Sequence, residues 1–284
     1  MEALVTCIAV VICKHFFRQI GITGIDLHKK HKQTIPEAMG IVAGIVLCSF
    51  MPDGPIRHCT IVGLCIGAMD DIVDIKWKTK LIMSALAYVP LYQPNTSIVL
   101  FGNLLELGIL YHIYMVVWCI WCGNSINIYA GINGLESGQC LVVAIGLFFV
   151  VDTPIVGYIG ACAVLFAFNW FPASIFVGDS WCYLSGMFFV SSAQHDTETL
   201  AIMMLPQIIN TLMSLPELLG ECPRHRMPNY DVTNDVLISS GKGTLLNAIL
   251  NVWGPMKERK LCLIALTMQI ACVLLAIFIN TILK

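Results

Sequence analysis

The sequence predicts an all-α, polytopic membrane protein of about ten transmembrane helices, forming a single domain over residues 1–284 with its larger loops on the cytosolic side. Three observations lead there. First, 57% of the residues are apolar and only 12% are charged, against about 25% charged in an ordinary soluble domain. Second, apolar runs of near-membrane length recur along the whole chain. Third, the basic residues fall almost entirely into alternate loops. The net charge of −2 leaves no positive excess to neutralise phosphates, so nucleic acid is not an expected partner. The same apolar richness excludes a disordered chain.

A bilayer core about 30 Å thick needs roughly 20 apolar residues per helix, fewer where neighbours shield the ends. The runs fall near 1–17, 39–52, 58–73, 79–93, 104–122, 136–151, 154–171, 180–193, 199–219 and 261–283. They lack strand alternation and are rich in Leu, Ile, Ala and Met, which favours helices over a barrel. The first run has no basic n-region and no Ala-x-Ala-like cleavage site, so it reads as a retained helix, shortened at its start, rather than a signal peptide. With ten spans, one face receives segments 18–38, 74–80, 122–135, 172–179 and 220–260, and with them thirteen of the sixteen basic residues. By the positive-inside rule that face is cytosolic. Thirteen cysteines show no metal-type spacing apart from Cys119-x-x-Cys122 at the end of an apolar run, so they read as small packing residues. Surfaces rich in Cys, Met and Phe would allow a homodimer. Asn95-Thr96-Ser97 is a glycosylation sequon in a short lumenal loop close to the membrane.

Ionisable residues at helix ends in so apolar a chain are functional candidates by default. Asp70, Asp71 and Asp74 lie within two turns at the cytosolic end of the third run, followed by Lys76, Lys78 and Lys80. Asp70 and Asp74 would share a face, as would Lys76 and Lys80 if the helix continued. Carboxylates beside lysines suit a magnesium–phosphate complex, although lysines alone would equally anchor a loop to the leaflet. A second cluster, Asn124 to Glu136, offers amide and carboxylate oxygens around Gly131 and Gly134, and would also serve as an ordinary turn. In a third, Asp179 precedes an apolar helix, where it would act as a ligand or as an N-cap. The fourth, Arg224-His225-Arg226, suits phosphate or sugar hydroxyls as well as positive-inside topology. All four fall on one face, a combination suited to metal-assisted phosphoryl transfer from a soluble anionic donor to a lipid acceptor.

These clusters, in this order, resemble the eukaryotic UDP-N-acetylglucosamine–dolichyl-phosphate N-acetylglucosamine-1-phosphate transferase family, part of the wider polyprenyl-phosphate sugar-1-phosphate transferases. The resemblance rests on IDLHKKHKQTIPEAMGIVAG (25–44), GAMDDIVDIKWKTKL (67–81), NSINIYAGINGLESGQ (124–139), FNWFPASIFVGDSWCYLSGM (168–187) and CPRHRMPN (222–229), with a weaker match in GPMKERKLCLI (254–264). Arg224-His225-Arg226 stands where bacterial relatives carry a His-rich element, which favours the dolichol branch.

The resemblance implies ten spans in the endoplasmic reticulum membrane, a cytosolic active site, and transfer of GlcNAc-1-phosphate from UDP-GlcNAc to dolichyl phosphate with release of UMP. It implies that Asn127 and Asp179 hold Mg2+, that Lys80 neutralises phosphate charge, and that Asp70 or Asp71 removes a proton or positions the acceptor. Arg224, His225 and Arg226 would contact the donor diphosphate and sugar. Ile25, Asp26, Leu27, Glu37 and Asn133 would frame the uridine, with Phe176 stacking on the base. Ile120, Trp121, Cys122, Gly123, Asn124, Ser125, Ile126, Asn127 and Ile128, with Lys80, would border the dolichyl phosphate, and tunicamycin would block the reaction. The chain departs from the family in a shorter amino terminus, a short segment 227–253, and Asp74 where many members have Asn. A related enzyme using another UDP-sugar or polyprenyl phosphate is the alternative. A transporter or inactive scaffold has only the hydropathy behind it, and a prenyltransferase would need a second Asp-rich motif.

Overall fold

The computed structural model describes the chain except residues 31, 74, 95, 101, 221–226 and 284. Asp74, Asn95 and the Arg224-His225-Arg226 triplet therefore lie outside the described residues. Twelve α-helices are described: α1 (Glu2–Ile20), α2 (Met39–Phe50), α3 (Pro55–Val73), α4 (Trp77–Leu86), α5 (Ile109–Ile128), α6 (Leu135–Phe148), α7 (Val156–Asn169), α8 (Gly178–Ser192), α9 (Thr197–Met203), α10 (Leu205–Leu219), α11 (Leu245–Trp253) and α12 (Glu258–Leu283). The described cysteines are all free thiols.

The chain is mostly helical, as expected, with small sheets added. Three antiparallel hairpins interrupt the bundle: β1 (Thr23–Ile25) with β2 (Thr34–Pro36), β3 (Ser97–Leu100) with β4 (Asn103–Glu106), and β5 (Asn229–Asp231) with β6 (Val236–Ile238). Strands of three or four residues are too short to show alternation in a sequence. The run expected at 104–122 accordingly starts as β4 and becomes helical only at Ile109. The run at 79–93 is helical only to Leu86, and a 3-10 turn at Val89–Leu91 carrying Pro90 ends it. Helix α11 was not expected at all.

Among the described residues, three helices (Glu2–Ile20, Ile109–Ile128 and the one over Glu258–Ile282) are long and apolar enough to cross a membrane. A fourth span is added if α9 and α10, bent by 73° at their junction, are taken as one. Length and composition thus support three or four spans, and the count of ten is not established. Leu4, Ile8, Ile12 and Phe16 of α1 are exposed at four-residue spacing, as are Ile270, Leu274 and Phe278 of α12. Continuous exposed apolar stripes of this kind fit a lipid surrounding.

Helix α8 is the axis of the bundle. Every residue from Ser180 to Ser191 is buried, as expected of a helix packed on all sides. It packs most extensively on α3, then on α5 and α2. Tyr158 of α7 stacks between its Trp181 and Phe188 at 5.5 and 4.2 Å. A smaller core joins Leu245, Leu246, Ile249 and Leu250 of α11 to Leu261 and Cys262 of α12 and to Ile132 and Leu135.

Candidate active site

The first turn of α8 and the last turn of α3 meet at one end of the bundle. Asp71 of α3 uses both carboxylate oxygens to cap α8, accepting the Asp179 N–H at 2.7 Å and the Ser180 N–H at 3.0 Å. These are two of the unpaired donors that open any helix. Asp179 is therefore not the cap of its own helix: Val177 holds that position and Asp179 sits inside the first turn. Its side chain is left free for other partners. Asp70, one residue before Asp71, is 8% exposed. Its Oδ1 accepts the Ile75 N–H at 2.8 Å, which stabilises the break between α3 and α4. The helix does not continue through the lysines, and Lys76 is the N-cap of α4 rather than a face-mate of Lys80.

Lys80 Nζ pairs with Asp70 Oδ2 and lies 3.6 Å from Asp179 Oδ2. The Asp70 and Asp179 carboxyls thus share one ammonium between them. Three carboxylates and one lysine at this junction leave a negative excess. Their donors are hard oxygens, which suits Mg2+. Among the described residues no three His, Cys, Asp or Glu side chains are grouped to hold a metal, so an amide or substrate oxygens would have to complete the shell.

The last turn of α5 supplies such an amide. Asn127 is half-buried and its side chain makes no hydrogen bond to another described residue, while the backbone around it is held from several sides. Gln139 Nε2 donates to the carbonyls of Ile126 (3.3 Å) and Tyr129 (2.7 Å), and Asn210 Nδ2 to that of Ile128 (2.9 Å). Gln207 ties Gln139 to Gln269 at 2.7 Å on each side. Asn124 donates to Ile120 O at 2.8 Å and accepts from Tyr183 of α8 at 2.6 Å. Cys122, Gly123, Ser125 and Ile126 are buried, whereas Ile120, Trp121 and Ile128 keep part of their surface.

The third part is built on the β1–β2 hairpin. The Phe176 N–H donates to Pro36 O at 2.8 Å, and the N–H groups of Met39 and Gly40 donate to Phe176 O and Val177 O at 3.1 and 2.8 Å. This stitching ties the end of the β1–β2 hairpin to the chain three residues before Asp179. A Cβ at Gly24 would come within 2.8 Å of Glu37 Oε2 and 3.0 Å of the Phe176 ring, so these two side chains flank the bare backbone of β1. Burial, with the nearby Asp71 charge adding to it, raises the Glu37 carboxyl above its ordinary pKa. Ile25 and Leu27 are exposed and Asp26 is buried. Asn133 Nδ2 donates to Asp26 Oδ2 at 2.9 Å.

Of the residues expected at the site, the structure brings Asp70, Asp71, Lys80 and Asp179 into direct contact, joins Asp26 to Asn133, and sets Glu37 against Phe176 across Gly24. It also contains polar residues to which sequence reading gave no role. Buried Asn169 accepts from Gly134 N–H (3.1 Å) and Ser137 Oγ (3.2 Å) and donates to Ile175 O (3.0 Å), joining the 131–134 loop to the chain that bears Phe176. The glutamine trio and Glu258 are the others. For Asn169, Gln207 and Gln269 the only signal was a lone polar residue among apolar ones, and Glu258, between Lys257 and Arg259, gave none.

Residues 56–195, from the start of α3 to just past α8, match the family described as Glycosyl transferase family 4. The stretch includes the acidic junction and the end of α5, and it defines the class as a helical glycosyl transferase. The UDP-N-acetylglucosamine–dolichyl-phosphate N-acetylglucosaminephosphotransferase of Dictyostelium discoideum is 32% identical over 89% of this chain and 80% of its own. The Schizosaccharomyces pombe protein of the same name is 33% identical over 79% and 68%, and that of Saccharomyces cerevisiae 30% over 92% and 85%. The chain belongs to the family of UDP-N-acetylglucosamine–dolichyl-phosphate N-acetylglucosaminephosphotransferases.

Proposed function

We propose that the protein transfers GlcNAc-1-phosphate from UDP-GlcNAc to dolichyl phosphate, giving GlcNAc-diphosphodolichol and UMP, the first step of lipid-linked oligosaccharide synthesis for N-glycosylation. The observation that carries this reading is the junction of Asp70, Lys80 and Asp179, acidic overall, where the end of α3 meets the start of α8. The relatives' names supply the donor and the acceptor.

In the reaction, a phosphate oxygen of dolichyl phosphate attacks the phosphorus that bears GlcNAc, and the bond from that phosphorus to the UMP oxygen breaks. The acceptor oxygen is already anionic near neutral pH, so repulsion between two phosphate groups is the main barrier. Lys80, on its short tether between Asp70 and Asp179, would swing its ammonium toward the phosphates and offset charge in the transition state. Asp70 holds that lysine and would position the acceptor or take a residual proton, and Asp71 fixes the turn that presents Asp179. Mg2+, held by Asp179 and Asn127, would supply further neutralisation of the donor diphosphate. Arg224, His225 and Arg226 would grip the diphosphate and sugar, with Phe176, Glu37, Asp26, Asn133 and the backbone of Ile25 and Leu27 around the uridine. The α5 end from Ile120 to Ile128 would border the lipid phosphate. The setting we infer is the endoplasmic reticulum membrane, with ten spans and this end facing the cytosol.

Purified protein in detergent, given dolichyl phosphate and Mg2+, is expected to release UMP from UDP-GlcNAc, and tunicamycin is expected to stop it. A panel of other UDP-sugars and polyprenyl phosphates should turn over far more slowly. Equal or better rates with another pair would overturn the assignment.

A further inference from the structure

The first residue of α12 reaches across the fold to the β1–β2 hairpin loop and to Asn133. Glu258 is 5% exposed. Its Oε1 accepts the Asn133 backbone N–H at 2.8 Å, and its Oε2 pairs with Lys29 Nζ. Lys29 also lies 3.2 Å from Asp26 Oδ2, the same oxygen that accepts Asn133 Nδ2, and its ammonium sits 4.1 Å above the Phe171 ring. The result is a closed ring of contacts: Glu258 to the Asn133 main chain, Asn133 side chain to Asp26, Asp26 to Lys29, and Lys29 back to Glu258. One acidic side chain on the last helix thus fixes both the backbone and, through Lys29 and Asp26, the amide of Asn133.

We propose that Glu258 is a positioning residue for the donor nucleotide, holding Asn133 with its amide nitrogen spent on Asp26 and its Oδ1 left to accept a hydrogen bond from the base. The inference rests on the reading that Asn133 faces the uridine. A ring N–H at position 3 is present in uracil and missing from cytosine, so an acceptor held in this orientation favours a uridine nucleotide. If the amide were free to flip, it would offer a donor instead and the preference would shrink. Among the described residues nothing donates to Asn133 Oδ1, so the orientation depends on Asp26 and hence on Lys29 and Glu258. Glu258 acts only through Asn133 and Lys29.

The test is made on full-length protein in detergent, reading UMP and CMP binding by calorimetry together with the steady-state constants. In Glu258→Ala, loss of a charge-assisted hydrogen bond predicts a rise in the UDP-GlcNAc KM of about tenfold. The dolichyl phosphate KM and kcat should stay within about twofold, since neither the junction nor α5 is touched. The UMP-over-CMP preference should fall with the donor KM, and Glu258→Gln, which keeps an acceptor for the Asn133 N–H, should recover part of both. A general loss of structure would lower active protein without changing either ratio. If Glu258→Ala does not fold, Lys29→Met reads the same ring and should show the same donor-selective defect. Unchanged donor KM and base preference in the folded variants, with a wild type that binds UMP, would overturn this inference alone. A wild type that binds no UMP would overturn the functional reading beneath it.

Discussion

Lys80→Met is expected to lower kcat by about 10²–10³-fold, the size seen when one preorganised charge or donor is removed from a transition-state site. Lys80 is the only cation in contact with the Asp70–Asp179 pair among the described residues. Methionine keeps the length and apolar stem of lysine, so the packing of α4 should survive. The loss should appear in kcat more than in either KM, because the charge matters most as the bond to UMP breaks. Lys80→Arg should recover little, since a planar guanidinium does not replace a compact ammonium between two carboxylates. Radiolabelled transfer to dolichyl phosphate, with a thermal melt alongside, checks this. A kcat within threefold of wild type would remove Lys80 from the mechanism.

Gly67→Ala should disturb both the fold and the site. A Cβ there would press into the carbonyl oxygen of Asp179 and the Cα of Ser180, and would sit 2.6 Å from the Asp179 carbonyl carbon. All three belong to the backbone of the first turn of α8, so no side chain can rotate away. Overpacking of this kind costs about 1–3 kcal/mol, and for a chain of this size each kcal/mol lowers Tm by roughly 2–4 °C. The same push would lift Asp179 and Ser180 off the Asp71 carboxylate, and a displacement of about 1 Å at a reacting site costs on the order of 10²-fold in rate. Tm and kcat should therefore fall together. A variant with both unchanged would mean that α3 and α8 are packed less closely than described.

Both predictions depend on the contact between α3 and α8, which the sequence only half discloses. The apolar runs locate α1, α2, α3, α6, α7, α8 and α12 within about three residues, because uninterrupted Leu, Ile, Ala and Met are a strong signal at that length. The hairpins leave no such trace, and α11 is missed because its apolar residues lie in a segment otherwise read as polar loop. Residue types single out Asp70, Asp71, Lys80 and Asp179, since charge is rare in this chain. What the sequence cannot show is the division of labour: Asp71 caps a helix that starts 107 residues later, with its bonds reaching residues 108 and 109 positions away. Glu258 is hidden for the same reason, its partner Asn133 lying 125 residues back.

If the α3–α8 junction handles a metal-bound donor diphosphate, Mg2+-dependent UMP release must differ between wild type and Asp179→Ala. Saturable Mg2+ activation is expected in the wild type. In folded Asp179→Ala the rate should fall by at least about 10²-fold, with any residual activity needing far more Mg2+. UMP release by Asp179→Ala at the wild-type rate and Mg2+ requirement would contradict that role of the junction.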